Sequence, residues 1–382
     1  MKYIYLDHAA TTPMHPDVIE EMTGVMHSIF GNPSSIHGVG REAHHKLETV
    51  RQSIADSLQV KPHEIIFTSG GTESDNTAII ETAAVMKEHG KHIITTAVEH
   101  PAVLQSLHYL ESQGYEVTYL PVGLSGRIDL ADFRQALRED TILVSIVSGN
   151  SETGQLMPIK EIGALLQEHQ AVFHTDAVQA FGSEQIAPYE AGIDLLSASA
   201  HKINGPKGVG FLYKKDGLKF QPLLRGGEQE EKRRAGTENI PGIAGMGKAV
   251  ELLSLEEKEK HKTKNTALQK IILEKLEEAE IEHQVNGDIE NKLSHILNIW
   301  FKGVSSDLLL MHLDLNGAAV SIGSACTAGT VDPSHVLEAI YGKEHPAVKE
   351  SLRISFGYGN TEEEVARFSD LLIKTVRRLK AY

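Results

Sequence analysis

The chain is poor in several things, and each shortage closes off a class of structure. It holds a single cysteine, Cys326, in 382 residues. One cysteine excludes an intrachain disulfide framework and any multi-cysteine metal site, and it suits a reducing cytoplasm. Basic residues are also short: 37 Lys and Arg stand against 52 Asp and Glu, a formal net charge of -15. Nucleic-acid backbones are bound by clustered cations, so this surface argues against direct nucleic-acid binding and mainly favours solubility. One basic spot, Lys232-Arg233-Arg234, reads as a solvated loop. No apolar run approaches the ~20 residues that span a bilayer. The start, Met1 to Asp7, is too short and polar for a signal peptide. The 20 histidines show no HExxH or comparable spacing, so no metal site is expected.

What is present reads as an α/β protein. Hydrophobic residues make up 41% and charged residues 23%, an ordinary globular balance, and the length suggests more than one domain. Strand-like runs alternate with helical patterns over the first two thirds. Glu64–Thr68, His92–Thr96, Thr141–Val147, Ala171–Asp176 and Asp194–Ala198 are the strands expected. The run 141–147 is apolar on both faces, as buried parallel strands often are. Gly208–Tyr213 follows too closely for a helical crossover, which predicts an antiparallel neighbour. Beyond Gly242 the pattern changes. Glu251–Glu282 is charged and helical, with Leu268, Ile272, Leu276 and Ala279 on one face. Strands at 296–301 and 352–356 and a closing helix at 362–379 complete a second unit.

Three groups at strand ends could carry chemistry. Thr68-Ser69-Gly70-Gly71-Thr72-Glu73 lies between a strand and a helix, where free N–H groups and the helix dipole favour a phosphate. It matches neither the dinucleotide fingerprint nor the Walker A loop, and an ordinary turn explains it equally well. Asp176 follows a buried strand, at the edge where open α/β sheets bind ligands; a helix N-cap is the plainer reading. Lys202 also follows a strand, ahead of the sharp turn Asn204-Gly205-Pro206-Lys207-Gly208, although a lone lysine is usually a surface cation. Together the three form the set that pyridoxal phosphate (PLP) requires: a phosphate cradle, a Schiff-base lysine, and a carboxylate for the pyridine nitrogen.

Longer strings narrow this reading. LDHAATTP (6–13), FGNPSSIH (30–37), FTSGGTESDN (67–76), Glu99-His100, HTDAVQAFG (174–182), SAHKINGPKG (199–208), RRAGTEN (233–239), GSACTAG (323–329) and LRISFG (352–357) occur in order. Together they closely resemble the cysteine desulfurases of iron–sulfur cluster assembly and tRNA thiolation, across nearly the whole chain.

The resemblance implies a PLP fold of the aminotransferase type (fold type I). A large domain at 14–257 would hold a mostly parallel seven-stranded sheet. Residues 1–13 and 258–382 would form a smaller α+β domain carrying a thiol loop at about 321–333. Lys202 would hold the cofactor, His100 would stack on its ring and assist proton transfer, Asp176 would pair with the ring nitrogen, and Gln179 would meet the phenolic oxygen. Asn150 and Ser151 would contact the ring. Gly71, Thr72, Ser199 and His201 would bind the phosphate, with Thr237 supplied by a neighbouring subunit of a homodimer. Asn32 and Arg353 would bind the substrate carboxylate, a task suited to the planar guanidinium fork.

Cys326 sits among small residues with two nearby glycines, which reads as an exposed, moving loop and a nucleophile. The implied reaction takes L-cysteine to L-alanine. It leaves sulfur on Cys326 as a persulfide for an acceptor protein, either a cluster scaffold or a tRNA-thiolating enzyme. Three residues depart from the family pattern. Ser151 stands where a second asparagine is usual, Ala200 where glycine is usual, and Ile322 where serine is common. If position 200 needs a positive φ, alanine would strain it. These changes are expected to tune activity rather than abolish it. The competing readings are a selenocysteine lyase, another aminotransferase-fold enzyme, and a weakly catalytic sulfur-relay protein.

Overall fold

The computed structural model describes residues 3–323 and 333–381. Cys326 lies outside them. Among the described residues the strands are β1 (Ile4–Tyr5), β2 (Ile65–Thr68), β3 (His92–Thr96), β4 (Glu116–Leu120), β5 (Thr141–Ser145), β6 (Val172–Asp176), β7 (Leu195–Ser199), β8 (Gly210–Lys214), β9 (Gln284–Val285), β10 (Ile296–Trp300), β11 (Ala318–Ala319) and β12 (Ser351–Ser355).

Seven of them form one sheet in the order β2-β8-β7-β6-β5-β3-β4. The run β7-β6-β5-β3-β4 is parallel throughout. β8 is antiparallel to both β7 and β2, as its short connection predicts. Reversing direction twice leaves β2 pointing the same way as β7. The C-terminal ends of β2, β3, β5, β6 and β7 therefore share one edge. That topology brings the glycine turn, His100, Asp176 and Lys202 to a common place, although 131 positions separate Gly71 from Lys202. β5, β6 and β7 are buried along their whole length, which explains why none of them shows a polar alternation.

A second unit carries β12-β10-β9, an antiparallel sheet, and the parallel pair β1–β11. Its hydrophobic core is separate from that of the large sheet. It joins Ile4 and Leu6 to Leu268, Ile272, Leu276, Leu297, Leu352, Phe368 and Leu372. The charged stretch is a helix over Leu255–Glu278, shorter than its sequence pattern. Ser254 caps it by accepting from Glu257 N, and the chain leaves the helix at Ala279. Leu268, Ile272 and Leu276 are the face buried there, as their spacing predicts. The helix His335–Tyr341 instead packs on the core of the large sheet, through Val336, Leu337 and Ile340.

The basic run at 232–234 differs from the expectation of a solvated loop. Arg234 forks onto Glu73, with Nε 2.8 Å from Oε1 and Nη2 3.2 Å from Oε2. Arg233 donates to the carbonyl of His63 and to its own turn. Only Lys232 stays in water, beside Glu228. The reason is tertiary: Glu230, two residues upstream, is buried and receives Arg51 through two bonds of 2.7 Å. Anchoring that side chain pulls the whole segment onto the sheet edge.

Candidate active site

A cavity of about 200 Å³ opens at the shared edge of the strands. It is lined by Gly71, Thr72, His100, Asn150, Ser151, Asp176, Gln179, Ser199, His201, Lys202 and Arg353. All were expected at the site. Asn32 and Thr237 do not line it: both are exposed, and Asn32 Oδ1 accepts from Ser34 N at 2.9 Å.

Lys202 ends a short 3-10 turn that follows β7. Its Nζ donates to the carbonyls of Ala9 and, at 2.8 Å, Ala10. Gln179 Nε2 donates to the same Ala9 carbonyl at 2.8 Å. The LDHAATTP string thus supplies backbone acceptors that orient both side chains. His100 caps the helix Pro101–Ser112: its Nδ1 accepts from Ala102 N at 3.1 Å, which leaves Nε2 to carry a proton. His201 Nδ1 pairs with Thr11 Oγ1 at 3.2 Å. Burial, then Lys202 and Lys207, push its ring down to about 4, so it is neutral at pH 7.

Asp176 is buried and accepts from Val178 N at 2.9 Å. Burial raises its pKa, while His100, the Val178 N–H and Lys202 pull it back. Asn150 spends its amide on the chain itself. It donates to Val98 O at 3.0 Å, and its oxygen accepts from Glu152 N and Thr153 N, each at 2.9 Å. Its role here is to hold the turn that presents Ser151. Arg353, only 2% exposed on β12, donates to Asp7 Oδ1 and to the Ser151 carbonyl, each at 2.9 Å. Its Nε is buried without a partner.

The strain argued for Ala200 does not arise. It is absent from the residues with positive φ, and its methyl is fully buried beside Gly205. Ile322 is half-buried against the second core. Sequence reasoning passed over two buried acids. Asp75 lines the cavity floor, one helical turn after Thr72, and that spacing could have found it. Glu99, beside His100, accepts from Thr96 Oγ1 at 2.7 Å and Val147 N at 2.9 Å. Burial raises its carboxyl to about 8. Asp75, His100 and Asp176 offer ligand-type atoms within 4.8 Å of one another, a cluster that no sequence spacing announces.

The model of the family "Aminotransferase class-V" matches residues 4–368. The chain belongs to that family. Among its relatives, a Bacillus subtilis (strain 168) protein with an IscS name is 52% identical, over 99% of this chain and 100% of that one. Cysteine desulfurase IscS of Methanosarcina thermophila is 46% identical, over 99% and 93%. A solved structure called a NifS-like protein superposes with a TM-score of 0.92 at 34% identity, covering 99% of this chain and 100% of that one. Another, SspA in complex with cysteine, gives 0.82 at 37% identity, over 92% and 98%.

Pyridoxal phosphate is the cofactor of these relatives and of this chain. The cavity fits it. Gly71 opens a helix where any side chain would collide, its ideal Cβ lying 2.7 Å from Val178 Cγ2. Backbone N–H groups can therefore approach a phosphate closely there. The hydroxyls of Thr72 and Ser199 stand beside that cradle, with Lys202, Gln179 and Asp176 lining the rest of the space.

Proposed function

We propose that this protein is a cysteine desulfurase: it converts L-cysteine to L-alanine and keeps the sulfur on Cys326 as a persulfide. One observation carries the reading. Arg353, a carboxylate-binding fork with a free buried N–H, lines the same cavity as Lys202 and Asp176. The amino-acid carboxylate and the cofactor lysine therefore share one small space. Relatives named cysteine desulfurases, and a similar structure holding cysteine, support the choice of substrate.

Bound PLP supplies an electron sink for the substrate's Cα. The remaining work belongs to the chain. Gly71, Thr72, Ser199 and His201 hold the phosphate. When PLP is bound, Asp176 would pair with the ring nitrogen, Gln179 and Ser151 would meet the ring's polar edge, and Lys202 would hold the cofactor. His100 would cover the ring and relay protons through Nε2. Arg353 would bind the substrate carboxylate; Asn32, exposed and outside the cavity, is not placed to share that task. The Cys326 thiolate then attacks the substrate sulfur. An S–S bond forms, the C–S bond breaks, and its electron pair passes to the carbon, which gains a proton to become the methyl of alanine. Cysteine plus thiol gives alanine plus persulfide, so no outside oxidant is needed.

Residues 14–257 would form the large domain and 1–13 with 258–382 the small one, a division the two cores support except at the helix His335–Tyr341, which packs on the large core. The enzyme works as a homodimer in which Thr237, exposed on its own chain, serves the neighbouring site. It acts in the cytoplasm and passes sulfur to an acceptor protein for cluster assembly or tRNA thiolation. No described helix is long and apolar enough to cross a membrane.

The deciding experiment is the intact mass of the PLP-loaded protein after brief exposure to L-cysteine without reductant, with peptide mapping. A sulfur gain on Cys326 alongside free alanine supports the reading. No gain, or a gain elsewhere, overturns it.

A further inference from the structure

Asp75 is 1% exposed, and its Oδ1 is buried without a hydrogen-bond partner. It lines the floor of the cofactor cavity, within 4.8 Å of the carboxylate of Asp176 and the ring of His100. The neighbour that might neutralise it does not. His174 Nε2 lies 3.6 Å from Asp75 Oδ1, too far for a hydrogen bond. Both nitrogens of that ring are occupied by serine hydroxyls, Nδ1 with Ser145 Oγ at 2.8 Å and Nε2 with Ser197 Oγ at 3.0 Å. Burial pushes His174 down to about 3, so it carries no charge. Glu99, on the turn before His100, adds a third acid to the surroundings.

Two buried carboxylates this close each disfavour the other's ionised form. The surroundings decide which one keeps the proton. Asp176 accepts the Val178 N–H and feels His100 and Lys202, all of which favour its ionised form. Asp75 has one stabilising contact, the Ser197 hydroxyl, while burial and then the charge of Asp176 drive its carboxyl well above the usual range.

We propose that Asp75 is a positioning residue that carries the single proton of the Asp75–Asp176 pair and so keeps Asp176 as the one charged carboxylate facing the cofactor ring. Were Asp75 ionised, its field would raise the proton affinity of Asp176 and weaken the partner of the ring nitrogen. A neutral acid group supplies a polar wall without that competition. The proposal rests on PLP occupying this cavity.

The test combines infrared difference spectroscopy with cofactor binding. The first readout uses apoprotein as well as holoprotein, because it reports the proton and not the reaction. Wild type minus Asp75→Asn is expected to show loss of a protonated-carboxyl carbonyl band that persists at pH 8. Loss of an ionised-carboxylate band instead would overturn the proposal, as would a protonated band that vanishes only in Asp176→Asn. Asp75→Asn keeps a donor of the same shape, so its PLP dissociation constant is expected within about threefold of wild type. Asp75→Leu, without a donor, is expected to weaken PLP about tenfold or more; equal affinity in the two variants would remove the positioning role. Should Asp75→Leu fail to fold, the wild type minus Asp75→Asn infrared difference still decides. A protein that takes up no PLP at all would count against the cofactor reading, and the apoprotein band would report separately on the proton.

Discussion

Asp7 and Arg353, at opposite ends of the chain, meet at 2.9 Å in a pair that leaves Arg353 only 2% exposed. The first strand and β12 adjoin there, through the bridge between Asp7 and Ser355. Asp7 holds one arm of the guanidinium, Ser151 O holds the other, and Nε is buried without a hydrogen-bond partner.

Removing Asp7 is therefore expected to act on substrate binding before it acts on the cofactor. Asp7→Ala leaves a buried arginine without its counter-charge, a change that costs about 3 kcal/mol or more in comparable pairs. KM for L-cysteine is expected to rise at least tenfold while PLP absorbance is retained, and Asp7→Asn is expected to fall between. Steady-state kinetics with a visible spectrum check this. An unchanged KM with lost PLP would contradict it.

Cys326→Ala is expected to keep the cofactor band and lose persulfide and alanine formation by more than about 100-fold, as the proposed role of nucleophile requires. Alanine release with L-cysteine, measured with and without a keto-acid, separates this from an aminotransferase, which would not need the thiol.

The Arg51–Glu230 pair is buried on both sides and also accepts Phe67 N at 3.0 Å, next to the phosphate turn. Three consecutive residues, Glu230, Glu231 and Lys232, take positive φ (48°, 55° and 68°). Left-handed backbone is costly away from glycine. The buried pair is what holds it. Glu230→Ala is expected to destabilise the fold by roughly 3–5 kcal/mol. The double variant Arg51→Leu/Glu230→Leu is expected to recover part of that loss, read by urea denaturation.

Glu99 sets a pH dependence whose sign can be worked out. Its folded value, about 8, lies above the ordinary 4.5. The folded state therefore holds a proton that the unfolded chain releases between those values. Stability from this group is fully present below pH 4.5 and is lost as pH rises toward 8, at up to about 1.4 kcal/mol per pH unit. Glu99→Gln is expected to flatten that slope and to be more stable than wild type at pH 8. Unfolding free energies at several pH values in that window test it, and a slope unchanged in the variant would refute the assignment.

Much of this was legible in the chain itself. Apolar runs of four to seven residues ending in Gly, Asp or Ser-Ala-His-Lys marked the strands of the large sheet, because burial on both faces leaves no polar alternation. The short connection before Gly208 announced that β8 would run backwards. Gly71, Asp176 and Lys202 were visible as strand-end residues, since glycine, acid and lysine have few reasons to follow such runs.

Other features were not legible, because they depend on what lies across the fold. The sequence shows Arg233 and Arg234 as charges, and only the tertiary structure brings Glu73 and the His63 carbonyl to them. Position 200 looked like a site for glycine until the backbone placed it in an ordinary 3-10 turn. Asn150 reads as a ligand, yet its oxygen serves its own turn and its NH2 donates to Val98 O across the fold. By itself the sequence determined most strands of the large sheet, though not the edge strand Glu116–Leu120, together with the chemistry-bearing residues and the family, because periodicity and local strings are one-dimensional signals. The tertiary structure alone decided which charges are buried, which are paired, and that Asp75 and Asp176 come together beside His100. Those energies depend on distance and on the exclusion of water, and neither quantity exists until the chain has folded.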